Sequence, residues 1–220
     1  MAHLVPIPFL VVTVTLLVRS RFTGNQRLEY VAKPLSTVLV IVVALLSLLA
    51  PGARPSFTWL VVLGLVLSLG GDVALMLRTS RLFLAGLVLF LLAHVVYAVA
   101  FTLPNGFQPQ DLVTGAVLLA LAAIVFAYLR PGLGGMQGPV LFYILVISFM
   151  VNRAISTFFG AAFSTTQAWL VTLGAILFWI SDLLLAVNRF RHPFKAEPVS
   201  LFFYYGGQLL IALSPSYFMG

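Results

Sequence analysis

The sequence has no cysteine among its 220 residues, and only five acidic residues stand beside twelve Lys and Arg. Without cysteine there is no disulfide framework, no thiolate metal site and no cysteine nucleophile. Histidine is almost as scarce. His3, His94 and His192 lie far apart and form neither HxxxH nor HExxH, so the helical zinc spacing is absent and no metal or other cofactor is expected. Charged residues make up 8% of the chain, too few to clothe a soluble domain.

What fills the chain is hydrocarbon: 62% of residues are hydrophobic and the mean hydropathy is +1.14. The solvent for such a chain is the lipid bilayer, where a spanning helix needs ~20 mostly apolar residues. Apolar runs cut by Arg, Lys, Pro and Gly place spans near residues 4–18, 34–50, 57–77, 82–101, 111–129, 138–159, 166–187 and 199–217. Pro51, Gly52 and Pro55 punctuate one junction, Pro104 and Gly106 another, and Pro131, Gly132, Gly134 and Gly135 a third. The connections are short, so neighbours pack as antiparallel hairpins. The expectation is an all-α integral membrane bundle of about eight transmembrane helices, forming a single transmembrane domain over residues 1–220. Ala2 to Val18 is apolar but has no basic residues before it and no small-residue cleavage site after it, which reads as a first span, not a removed signal peptide.

The net charge of +7 follows membrane topology and does not point to nucleic acid. Ten basic residues (Arg19, Arg21, Arg27, Lys33, Arg78, Arg81, Arg130, Arg189, Arg191 and Lys195) fall in loops after odd-numbered spans, and only Arg54 and Arg153 fall elsewhere. The positive-inside rule puts those loops in the cytoplasm and both termini outside the cell membrane. Arg153 falls inside the sixth span, where it must snorkel or pair.

An internal repeat is also visible. WLVVLGLVLSLGGDVALML, from Trp59 to Leu77, aligns without gaps on WLVTLGAILFWISDLLLAV, from Trp169 to Val187, at an offset of 110 residues. The coincidences Trp59/Trp169, Gly64/Gly174 and Asp72/Asp182 involve rare residues and so carry the signal. Two halves of four spans, residues 1–105 and 106–220, would share one orientation and be related by an axis along the membrane normal. Asp72 and Asp182 then lie at one depth, roughly 8 Å inside the cytoplasmic ends of their spans.

A carboxylate inside the bilayer is costly, by ~2.5–3.5 kcal/mol at a helix centre, and usually faces the protein interior where it marks function. The plainer reading is a neutral Asp making a helix-packing hydrogen bond. Two apposed carboxylates in a site of low dielectric favour one protonated and one ionised, which is an acid/base apparatus. His94 and Tyr97 project from one face of the fourth span, deeper than the aspartates; a neutral interhelical hydrogen bond is the alternative for His94. Lys33 and Pro34 open the second span, where Lys33 either snorkels or meets phosphate. Tyr143, Asn152, Tyr204, Tyr205 and Gln208 complete the polar set, the two adjacent tyrosines being also candidates for an aromatic belt.

The stretches GDVALML, FLAGLVLFLLAHVVYAVAF, YILVISFMVNRA, GAILFWISDLLLAVNRF and FYYGGQLLIALS together resemble the YhhN-like lysoplasmalogenase family. The likeness runs from Lys33 to the last span. It implies a multi-pass hydrolase that cleaves the vinyl-ether bond of lysoplasmalogens to a fatty aldehyde and glycerophosphoethanolamine or glycerophosphocholine, with no cofactor. Protonating an enol ether and adding water to the resulting oxocarbenium ion are two steps that two carboxylates can serve, as in glycosidases. On that reading Asp72 and Asp182 are catalytic, and Lys33, His94, Tyr97, Tyr143, Asn152, Tyr204, Tyr205 and Gln208 hold the lysophospholipid or water. Two other readings stand beside it: a small proton-coupled transporter, for which broken helices would be the sign, and a hydrolase of another lysolipid.

Overall fold

The computed structural model describes residues 2–77, 79–194 and 197–218, apart from the side chains of Ser80 and Glu197. Arg78 and Lys195 from the basic loops therefore lie outside the described residues. The described chain is helical and contains no strand: α1 (Ile7–Thr23), α2 (Gln26–Leu46), α3 (Pro55–Met76), α4 (Ser80–Asn105), α5 (Asp111–Leu133), α6 (Gln137–Ser156), α7 (Thr165–Phe190) and α8 (Ser200–Leu213), with short 3-10 turns between or after them. Six stretches are long and apolar enough to cross a membrane, and one of these, Asp111–Ser156, contains both α5 and α6. With large hydrophobic side chains such as Phe9, Val12, Trp59, Leu112 and Ile124 exposed along them, these helices make a multi-pass membrane protein.

Helix ends follow local chemistry. Gly24, Gly106 and Gly134 follow α1, α4 and α5 with φ of 68°, 66° and 51°, the left-handed region that glycine enters without a Cβ penalty. Asn25, Thr79 and Ser164 accept a hydrogen bond from the amide three residues on and so cap α2, α4 and α7. The Asn25 cap moves the start of α2 two turns ahead of the expected opening at Lys33 and Pro34. Pro34 consequently sits inside the helix, leaving the Tyr30 carbonyl without its usual amide partner.

The main packing contacts close a ring. Helix α2 packs on α3, α3 on α4, α4 on α6, α6 on α7, α7 on α8, and α8 returns to α2; α1 and α5 lie outside, chiefly against α2 and α6 respectively. Close approach at α7 and α8 depends on glycine, because a Cβ on Gly207 would lie 2.7 Å from the Gly174 carbonyl oxygen. At one end of the bundle Phe57, Phe163 and Phe218 pack edge-on or tilted with centroids 5.0–5.8 Å apart, and Arg54 lies over Phe218. Asp72 and Asp182 belong to the other end.

Candidate active site

Each of the six ring helices contributes at least one polar side chain to the interior. Asp72, four residues before the end of α3, is 1% exposed and receives three donors. Lys33 Nζ lies 3.1 Å from its Oδ1. Thr37 Oγ1 donates to its Oδ2 at 2.7 Å, and the Tyr204 hydroxyl donates to the same oxygen at 2.8 Å. Lys33 and Thr37 are one turn apart on α2, so a single helix face delivers both. A relay leads away from this carboxylate: Gln208 Nε2 donates to the Tyr204 oxygen at 3.4 Å, and the Tyr97 hydroxyl donates to Gln208 Oε1 at 2.8 Å. Tyr205 braces the same corner, donating to the Lys33 carbonyl at 2.9 Å.

Asp182 on α7 is furnished differently. The Tyr143 hydroxyl donates to its Oδ2, and His94 Nε2 approaches that oxygen at 3.7 Å, beyond hydrogen-bond reach. Among the described residues neither ring nitrogen of the fully buried His94 has a hydrogen-bond partner. Its ring lies 4.7 Å from Phe178 and 5.3 Å, edge-on, from Tyr143. Among the described residues no Lys or Arg comes within ion-pair distance of Asp182.

His94 thus meets the acid that sequence depth set it apart from. The reason is the lean of helical side chains toward the helix N-terminus. Helix α4 begins at the end of the bundle that holds the aspartates, whereas α7 begins at the opposite end, so His94 and Asp182 lean toward each other.

Two cavities meet at Asp182. A polar one of about 560 Å³ is lined by Arg21, Glu29, Lys33, Asp72, Asp182 and Tyr204 among others, and reaches helix ends at Gly24, Thr79 and Ser200. An apolar slot of about 70 Å³ shares Asp182, Phe83 and Phe90 with it and continues between Leu129, Ile144, Trp179 and Phe190. The pair of acids therefore lies where water-compatible and oil-compatible space adjoin.

Asn152 is not part of this arrangement. It donates to Thr114 Oγ1 at 2.7 Å and to the Asp111 carbonyl at 3.1 Å, near the opposite end of the bundle. Its neighbour Arg153 is fully buried, pairs with the Asp111 carboxylate, donates to the Gly106 carbonyl and to Thr102 Oγ1, and lies over the Phe107 ring. Pairing, not snorkelling, is how the chain keeps that cation. Conversely, Glu29, Thr37 and Arg21 line or touch the site without having been singled out from the sequence, although Glu29, Lys33 and Thr37 form a visible i, i+4, i+8 row. Among the described residues no three His, Asp or Glu side chains are placed to hold a metal ion.

Fold and site define a multi-pass membrane protein that gathers two carboxylates beside a polar cavity near one end of its bundle. Residues 28–215 match the YhhN family, and the chain belongs to that family. It is 36% identical over 165 residues to Lysoplasmalogenase TMEM86A of Bos taurus, covering 73% of this chain and 66% of that protein. Against Lysoplasmalogenase TMEM86A of Homo sapiens the identity is 37% over 166 residues, 74% of this chain and 67% of the relative. Against the Uncharacterized membrane protein YhhN of Escherichia coli O157:H7 it is 30% over 201 residues, 90% and 91% of the two chains. The chain spans about two thirds of the length of the TMEM86A proteins it matches. No solved structure matches it.

Proposed function

We propose that this protein is a membrane lysoplasmalogenase, adding water across the vinyl-ether bond of a lysoplasmalogen to release a fatty aldehyde and a glycerophospho-headgroup. The observation that carries the reading is the placement of Asp182 between a polar cavity and an apolar slot, with Asp72 across the same cavity. An amphipathic substrate lying with its headgroup among Lys33 and its neighbours and its tail in the slot brings its enol ether to the acids. The names of the TMEM86A relatives point to the same substrate class.

The unequal settings support a division of roles. Asp72, matched by a cation and two hydroxyl donors, is the standing carboxylate; Asp182, with no Lys or Arg among the described residues within ion-pair distance, is the proton donor. Asp182 gives its proton to the enol-ether carbon remote from oxygen, and the double-bond electrons form that C–H bond. The resulting oxocarbenium ion is stabilised by the Asp72 carboxylate and captured by water, whose proton passes to a carboxylate. The hemiacetal so formed collapses as its C–O bond to glycerol breaks, the hydroxyl proton leaving as the glycerol oxygen gains one. The products are aldehyde and alcohol, and the acids return to their starting state.

The remaining architecture belongs to the same reading. Eight helices span the membrane, the basic loops face the cytoplasm, both termini lie outside, and the cavity opens toward the cytoplasmic leaflet. Residues 1–220 form one transmembrane domain whose halves, 1–105 and 106–220, are related by an axis along the membrane normal. Support for the repeat comes from position pairs 110 residues apart. Lys33 pairs with Asp72 as Tyr143 does with Asp182; Tyr204 bonds Asp72 while its counterpart His94 faces Asp182; and Gly64 admits the ring of Tyr97 as Gly174 admits Gly207. Helices α3 and α7 run unbroken through their aspartates, which favours an enzyme over a carrier built on broken helices.

The test is aldehyde release from purified protein in detergent given lysoplasmenylethanolamine, with the 1-O-alkyl and 1-acyl lysolipids as controls. Aldehyde from the alkenyl lipid alone is the expected result, and no aldehyde from any of them overturns the reading.

A further inference from the structure

His94 on α4 is fully buried beside Asp182, and the reaction above gives it nothing to do. Among the described residues neither of its ring nitrogens has a hydrogen-bond partner. Burying an imidazole without a partner is costly, so a chain that does it needs a reason. Phe178 and Tyr143 hold the ring from two sides, tilted at 4.7 Å and edge-on at 5.3 Å. Held this way, its Nε2 stands 3.7 Å from Asp182 Oδ2. Tyr204 lies 110 positions further along the chain and does touch its aspartate, donating to Asp72 Oδ2 at 2.8 Å. The contact made at one acid is held open at the other.

Charge is what closes it. Once its proton has gone to the substrate carbon, Asp182 is a carboxylate with one donor, the Tyr143 hydroxyl, where Asp72 has three. A charge-assisted N–H···O bond is ~2.8 Å long, so a movement of about 0.9 Å brings the two groups into reach. The carboxylate, its side chain 15% exposed and lining both cavities, is the freer partner. The imidazole keeps its own proton throughout and stays neutral; only a hydrogen bond is gained.

We infer that His94 is a positioning residue for the carboxylate that Asp182 becomes: its N–H bonds that oxygen when the proton leaves and releases it when the proton returns. An interaction that forms as charge develops, and is absent before, lowers the barrier without tightening substrate binding. The inference rests on the proton-donor role given to Asp182 above.

His94→Leu and His94→Gln, made in the full-length protein in detergent, test it. His94→Leu removes the donor, and since the resting fold makes no bond there, the melting temperature should equal or exceed that of the wild type. Its kcat for lysoplasmenylethanolamine should fall about 50-fold with KM unchanged, the scale of one hydrogen bond to a charged group. The amide of His94→Gln can donate from about the place of Nε2 but cannot carry a proton, and it should restore kcat to within about fivefold of wild type. A marked drop in melting temperature or a wild-type kcat in His94→Leu overturns the inference, as does a His94→Gln as slow as His94→Leu. The pair is also read without turnover. With carbon-13-labelled aspartate in alkaline buffer, the infrared carboxylate stretch assigned to Asp182 by its loss in Asp182→Asn should shift in His94→Leu and return in His94→Gln. An unmoved band overturns the inference even where aldehyde is made. A band that shifts in a protein that makes no aldehyde removes the proposed reaction and leaves the contact of His94 with the Asp182 carboxylate standing.

Discussion

Asp72 and Asp182 each stand seventeen residues after the first residue of their helix, Pro55 in α3 and Thr165 in α7, yet their surroundings differ. Around Asp72 are a lysine and two hydroxyl donors; around Asp182 are one tyrosine hydroxyl and a histidine too distant to bond. Lys33 and Tyr143 are 110 residues apart, as are His94 and Tyr204. On the proposed repeat, equal backbones set both acids at one depth, and substitutions at equivalent neighbours set their different tasks. The comparison teaches that the informative residues are those that break the repeat.

The comparison can be broken outright by removing the proton donor. Asp182→Asn should lower aldehyde release by about 10³-fold, within the range for a positioned general acid, in protein whose helical circular dichroism is unchanged. Giving Asp182 the kind of partner Asp72 has, by Tyr143→Lys, should cost about 10²-fold in kcat by fixing the carboxylate as the anion; activity near wild type would show that the roles do not follow the cations. On the other side, Lys33→Met strips Asp72 of its counter-charge and should cost ~3 kcal/mol of stability, read as a lowered melting temperature in detergent. Tyr143→Phe should lower kcat about tenfold while the melting temperature barely moves. The mildest change is Thr37→Val: Asp72 keeps Lys33 and Tyr204, so a loss of only about threefold is expected in kcat/KM.

Much of this molecule was legible as sequence because the bilayer simplifies the problem. Helices are the economical way to satisfy backbone polar groups in lipid, and apolar runs mark them. The coincidence of Trp59, Gly64 and Asp72 with Trp169, Gly174 and Asp182 singles out the two aspartates, and these line one cavity. What could not be read were the relations that depend on direction and neighbours. The lean of His94 along α4 erased the depth difference that residue counting gave it. The cap at Asn25 starts α2 ahead of Lys33 and makes Glu29, Lys33 and Thr37 one helix face, a row that an opening at Lys33 and Pro34 leaves incomplete. Asn152 looked like a site residue because it is polar within an apolar run, but its adjacency to Arg153 and the distant Asp111 commits it to a structural cluster. No spacing rule links residues 42 apart in sequence.

The buried Arg153 cluster and the aromatic group around Phe57 occupy the end of the bundle opposite the acids. On the proposed reaction, this makes the protein one-handed with respect to the bilayer. Lipids of the facing leaflet reach the acids from the cavity side, while those of the other leaflet must first cross the membrane by some other means. The same asymmetry sorts the products: the glycerophospho fragment departs into a single aqueous compartment, and the aldehyde stays behind in the oil.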